Sequence, residues 1–119
     1  MLRFLLSASL ACGTLVPSAA EASSSCGHAS HYGVGDGYHG RIAADGSRFN
    51  AYGLSAAHRS LPFGTRLQVT NPANGKTVVV KVTDRGPFIA GRSLDLSAGA
   101  FSRIASLEQG IARICFTRV

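Results

Sequence analysis

The chain has 119 residues, is 45% hydrophobic with six Phe, three Tyr and no Trp, and carries a formal net charge of +6. That length supports one small domain and excludes a second, and a core of this size is marginal without a covalent staple. The positive charge draws the protein toward anionic polymers, or serves only its solubility.

The chain opens with "MLRFLLSASLACGTLVPSAAEA": one Arg, an apolar stretch from Phe4 to Val16, Pro17, then small residues. Ala20-Glu21-Ala22 fits the small-x-small pattern of a signal-peptidase site, so cleavage after Ala22 is expected, leaving one domain over residues 23–119. The apolar run is too short and too interrupted for a permanent bilayer span. "SLAC" raises a lipid anchor at Cys12, but Ser9 stands where such a signal usually carries Leu, and a soluble exported form is expected. Removing 1–22 leaves two cysteines, Cys26 and Cys115, which in an exported chain read as a disulfide joining the two ends of the domain. It also removes Arg3 and Glu21, so eleven basic and five acidic residues remain, again +6. Outside the cell that charge points to anionic wall or a membrane surface rather than to nucleic acid.

"HASHYG" reads as a short strand, and "GVGDGYHG", with four glycines in eight residues, as loop. Asp45-Gly46 marks a turn. "LSAAHRS" reads as a single helical turn stopped at Leu61-Pro62. "TRLQVTN" and "KTVVVKVTD" alternate as strands around Asn74-Gly75, the strongest hairpin signal in the chain. Val78, Val80 and Val82 share one face, and Asp84 shares their parity, which places it at the rim of the core. "RSLDLS" is a further strand, Ser97 an N-cap, "AGAFSRIASLEQ" a helix ended by Gly110, and "GIARICFTR" the closing strand. Many short strands with glycine-rich turns and one helix define a small closed β-barrel.

Among the acids, Asp36 and Glu108 read as surface groups and Asp45 as a turn residue. Asp84 and Asp95 flank "RGPFIAGRSL", a segment too elaborate for a plain turn. Asp84 reads as a site carboxylate, as an ion-pair partner of Arg85 or Arg92, or as a strand cap; Asp95 as a helix cap or an arginine partner. His58, amid small apolar residues, reads as packed or as catalytic. Cys26, His28 and His31, with His39 beyond, have spacing compatible with zinc or copper, but the cysteine is better used in the disulfide and no carboxylate completes the set, so no metal is expected. No phosphate loop and no G-x-S-x-G elbow is present, and no cofactor is implied.

"ASHYG" (29–33), "YHGR" (38–41), "AAHRSLPFGTRLQVTN" (56–71), "NGKTVVVKVTDRGPFIAGRSLDLS" (74–97) and the closing "GIARI", in this order, resemble the rare lipoprotein A family of exported bacterial proteins. The resemblance covers almost all of residues 23–119. It implies a mainly β fold: a six-stranded double-psi β-barrel, related to expansins and barwin-like domains, with one or two short helices. Larger members add a peptidoglycan-binding repeat domain, for which this chain has no room.

The family's activity, so implied, is lytic transglycosylation of peptidoglycan in the periplasm or cell envelope. The MurNAc–GlcNAc linkage is cut and the sugar's own 6-hydroxyl closes a 1,6-anhydro-MurNAc end. Carried onto this chain, the catalytic positions are Asp84 and His58, with a glutamate expected eleven residues before His58. That position is Ser47, within "AADGS" (43–47), and Ser has no proton that titrates near neutral pH. Asp84 then serves alone as acid and base, Asp45 reaches in as a substitute, or the domain binds glycan without cutting it. Tyr32, Arg85, Phe88 and Asp95 are the expected substrate-binding residues, peptidoglycan strands the expected partner, and a monomer the expected state.

Overall fold

The computed structural model describes residues 24–119. The expected signal segment 1–22 and the anchor candidate Cys12 lie outside the described residues. Six strands form a closed barrel: β1 (Ser25–Tyr32), β2 (Ser55–Ala57), β3 (Arg66–Thr70), β4 (Thr77–Asp84), β5 (Arg92–Ser97) and β6 (Ile111–Arg118). Their order around the barrel is β1-β5-β2-β4-β3-β6. The pairs β1–β5 and β2–β4 are parallel and the other pairings antiparallel. This is the double-psi architecture, and closure gives each described strand a partner on both sides.

The alternation legible in the sequence is what fills the barrel. Leu67 and Val69 of β3, Val78, Val80 and Val82 of β4, Leu94 and Leu96 of β5, and Ile114 of β6 point inward and are buried. The expected β3–β4 hairpin forms in register from Thr70↔Thr77 to Arg66↔Lys81. Its turn is pinned from within: the Asn71 and Asn74 side-chain amides both donate to the Ile104 carbonyl, at 2.8 and 3.0 Å. Cys26 and Cys115 are register partners on β1 and β6 and form the expected disulfide.

Two elements differ from the sequence reading. The segment "LSAAHRS" is not a helical turn: Ser55–Ala57 is strand β2, between β4 and β5. Alanine favours helix locally, but here its methyl is what fits a buried position between two larger strands, and tertiary pairing overrides propensity. The helix expected over 98–109 is two pieces, α1 (Ala98–Ser102) and a 3₁₀ turn (Leu107–Gln109). The Arg103 and Ile104 amides already bond three residues back, and Ser106 caps the second piece with its own hydroxyl.

Ser97 caps α1 as expected and does more. Its fully buried hydroxyl accepts the Ala100 and Ser55 amides and donates to the Gly53 carbonyl at 2.7 Å. It thereby ties the helix start to the segment entering β2. Gly99 completes the contact, because a Cβ there would lie 2.6 Å from the Tyr52 carbonyl oxygen.

Candidate functional site

At the C-terminal end of β4 the buried valine stripe gives way to Asp84, which is half-buried, as its parity requires. It lines an open depression of about 250 Å³ together with Tyr32, Tyr38, Ala57, Arg85 and Asp95. The Asp84 Oδ1 accepts the backbone N–H groups of Ala44 at 3.1 Å and Arg85 at 3.0 Å. Its Oδ2 faces the Tyr32 hydroxyl at 3.5 Å. The Ala44 contact docks the "AADGS" loop onto the carboxylate, and the Asp45 amide adds a bond to the Thr83 carbonyl.

Tyr32 is stacked on Phe49 with ring centroids 4.5 Å apart, and meets Tyr38 edge-on at 5.7 Å. Burial first, then the charges of Asp84 and Asp95, push its phenol far above the ordinary range. It therefore stays protonated and keeps a proton to donate. Asp95, on β5, is also held above its ordinary value, chiefly by burial. The hydroxyl of Ser30, 2.9 Å from its Oδ1, and the charge of Arg92 act in the opposite sense.

The arginines answer a different need. The Arg85 guanidinium donates to the carbonyls of His58 (3.2 Å) and Leu61 (2.9 Å) and lies 3.9 Å over the Phe63 ring. Arg59 reaches the other way, to the carbonyls of Pro87 and Arg92, both at 2.9 Å. The two side chains lace the 58–63 segment to the 85–92 loop, which carries a cis Gly86–Pro87 bond.

His58 is joined to Asp84 through the backbone, its N–H donating to the Asp84 carbonyl at 3.1 Å. Among the described residues no hydrogen bond joins the two side chains. The imidazole Nδ1 instead accepts the amides of Ser60 and Leu61, each at 3.0 Å. The ring meets Phe116 edge-on and lines a separate depression with Ser25, Leu61 and Arg118. Burial, then the charges of Arg59 and Arg85, hold the imidazole below its ordinary pKa.

Asp45 and Ser47 form a closed pair. The Asp45 carboxylate accepts the Ser47 amide at 2.8 Å and its hydroxyl at 2.6 Å, and the hydroxyl bond is the main reason it stays below the usual carboxylate range. Ser47 lines a neighbouring depression with Lys81 and Thr83. Phe88 stands 77% exposed at the tip of the 85–92 loop, outside the lining of the Asp84 depression. Two contributors escaped the sequence reading, Tyr38 and Ala57. Tyr38 lies within the quoted "YHGR", which is the signal that could have found it.

Asp36, read as a solvated surface acid, staples its own loop: it accepts the Gly33 and Tyr38 amides at 2.7 and 3.0 Å. The histidine-rich segment does not converge on a metal. Cys26 is in the disulfide, His31 pairs with the Leu107 carbonyl, and His39 accepts the Ala51 amide. Among the described residues no group of three or more His, Cys, Asp or Glu side chains is placed to hold an ion.

The fold is a closed six-stranded double-psi barrel of the kind found in expansins, with carboxylates and tyrosines at an open mouth. A family model described as "Lytic transglycolase" matches residues 24–116. A "Probable endolytic peptidoglycan transglycosylase RlpA" from Nostoc sp. is 54% identical over 88 residues, which are 74% of this chain and 24% of that protein. An "Endolytic peptidoglycan transglycosylase RlpA" from Pseudomonas aeruginosa is 44% identical over 88 residues, 74% of this chain and 25% of its own. The chain belongs to the RlpA-like endolytic peptidoglycan transglycosylase family. It spans about a quarter of the length of the first curated relatives it matches, 24% and 27%.

Among solved structures, the apo expansin of Clavibacter michiganensis superposes with a TM-score of 0.66 at 30% identity, covering 82% of this chain and 50% of that one. The same comparison finds a mutant of a Clavibacter michiganensis expansin in complex with cellohexaose, at 29% identity. The Streptomyces papain inhibitor, at 24% identity and a TM-score of 0.65, covers 82% of this chain and 94% of its own and shares the fold.

Proposed function

We propose that this protein is an exported lytic transglycosylase of the bacterial envelope, acting as a monomer on peptidoglycan. It cleaves MurNAc–GlcNAc linkages and leaves 1,6-anhydro-MurNAc ends, with Asp84 as general acid and base. The observation that carries the reading is the Asp84 carboxylate, which reaches an open depression while the Ala44 and Arg85 amides hold it in one orientation. Intramolecular attack by the 6-hydroxyl suits such a site, because no water has to be activated by a further carboxylate. Tyr32 and Arg85 line the depression and contact the glycan there; Phe88 offers an exposed ring to an adjoining sugar. His58 contributes through the loop it braces, keeping Asp84 and Arg85 in register.

One observation favours a second reading, an expansin-like module that binds the wall without cutting it. Ser47 stands where the resemblance to the rare lipoprotein A family implies a glutamate, and its hydroxyl donates to Asp45. Incubation of purified protein with sacculi, followed by mass spectrometry of released fragments, decides between the two. Anhydro-muropeptides that disappear in Asp84→Asn are the expected result. Salt-sensitive pelleting with sacculi and no released sugar, from wild type and variant alike, establishes the binding module instead.

A further inference from the structure

The depression holds two carboxyls, and the reading above uses one. Ala57 on β2 is the register partner of Asp84 on β4 and of Asp95 on β5. Neighbouring strands lie about 4.8 Å apart, so the two aspartate backbones stand about 10 Å apart with β2 between them. Both side chains reach the same 250 Å³ space. The residue separating them offers only a methyl to the floor of that space.

We propose that Asp95 is the proton donor of this site and Asp84 the proton acceptor, the two dividing across Ala57 the work otherwise given to one carboxyl. The inference rests on the transglycosylase reading. The geometry assigns the roles. Oδ1 of Asp84 is occupied by two N–H donors, which leaves Oδ2, with only the Tyr32 hydroxyl at 3.5 Å, as the acceptor. Asp95 meets a different set of neighbours. From β1 it is faced by Ser30, His31 and Tyr32, from β2 by the neutral Ala57, and from its own strand by Arg92. Asp84 and Arg85 reach it from the end of β4, and Asp36 and Tyr38 from the 33–40 loop. In that setting burial outweighs the Ser30 hydrogen bond and the cations, and the carboxyl holds its proton above the ordinary carboxylate range.

The step balances without a co-reactant. The Asp95 proton passes to the leaving glycosidic oxygen as its bond to C1 breaks, and that oxygen keeps the bonding pair. The 6-oxygen forms the new bond to C1 while its proton passes to Oδ2 of Asp84. One proton has moved from Asp95 to Asp84 and returns through the solvent that reaches the open depression.

The test is release of anhydro-muropeptides from sacculi across pH for wild type, Asp95→Asn, Ser30→Ala and Asp84→Asn, with Glu108→Gln as an exposed control expected to match wild type. A lost general acid lowers the rate by about 10²–10⁴-fold. Asp95→Asn is expected to fall by that factor while still pelleting with sacculi, and its residual activity is expected to lack the alkaline fall-off. Ser30→Ala removes a bond that favours the ionised form, so the alkaline limb is expected to move to higher pH. Wild-type turnover and pH dependence in Asp95→Asn, with Asp84→Asn inactive, overturns the inference and leaves the transglycosylase reading standing. Loss of pelleting in proportion to lost product, or an unmoved limb in a folded Ser30→Ala, also overturns it. A wild type that releases no anhydro product overturns both.

Discussion

Asp84 and Asp95 stand on either side of Ala57, each paired in register with that alanine from a different neighbouring strand. Eleven positions separate them along the chain, and the loop between them carries Gly86, Pro87 and Phe88 out and back. The segment "TDRGPFIAGRSLDLS" is thus the path by which one wall of the barrel supplies both carboxyls to a single mouth. Arg85 and Arg59 serve that path, bonding to carbonyls of the opposite segment.

The size of residue 57 should limit access to the site. Ala57 is 4% exposed and forms part of the floor of the depression between the carboxyls. Ala57→Leu is expected to fill that floor and to lower turnover of sacculi at least tenfold. Overpacking should cost about 1–3 kcal/mol of stability. Ala57→Ser, nearly the same size, should keep activity. Urea melts run beside the muropeptide assay separate the two effects.

Ser47→Glu introduces the carboxylate that the resemblance to the rare lipoprotein A family implies for this position. With Asp95 already supplying the proton, the change is expected to alter the rate less than tenfold. A gain of about a hundredfold or more would mean that the missing glutamate was the acid, since that is the scale of a restored general acid. Rates of anhydro-product release from the two proteins under one condition give the answer.

His58 should make stability depend on pH in a definite direction. Its imidazole is held below the ordinary histidine value by burial and by the cations Arg59 and Arg85. Neutral Nδ1 also accepts two backbone amides, a role that protonation removes. The unfolded chain therefore binds the proton more readily. The stabilisation His58 supplies is complete above about pH 6.5 and is lost as pH falls through the folded value. Thermal melts of wild type and His58→Asn should differ most near pH 7.5 and converge toward pH 5. A difference that widens on acidification would instead indicate a histidine sharing a proton with a carboxylate.

Reduction of the Cys26–Cys115 bond releases a loop with a sequence separation of 89. Losing such a staple from a small exported domain costs about 2–5 kcal/mol. Paired Cys26→Ser and Cys115→Ser substitutions should lower the unfolding free energy by that amount, read as a fall in the urea midpoint, and adding reductant to the wild type should give the same shift. The double variant itself should be insensitive to reductant.

Much of this was legible in the chain. The valine stripe and Asn74-Gly75 report the β3–β4 hairpin because alternation and turn chemistry are local properties. Asp84 at the rim follows from parity alone. The cysteine pair announces that the domain's two ends meet. By contrast, Ser55–Ala57 as a strand left no local trace: three small residues have no readable period, and only β4 and β5 on either side make them a strand. The break of the expected helix near Ser102 was equally silent, since Ile104 holds the right spacing yet gives its carbonyl to Asn71 and Asn74 of the hairpin turn.

Sequence by itself determined the barrel class, the inward faces, the covalent closure and the identity of the acids. The tertiary structure alone decided which of them meet. It set Asp95 opposite Asp84, turned His58 toward Phe116, and tied Asp45 to Ser47. The physical reason is range: side-chain periodicity is written residue by residue, whereas the meeting of two carboxyls across an alanine depends on the register of three strands drawn from distant parts of the chain.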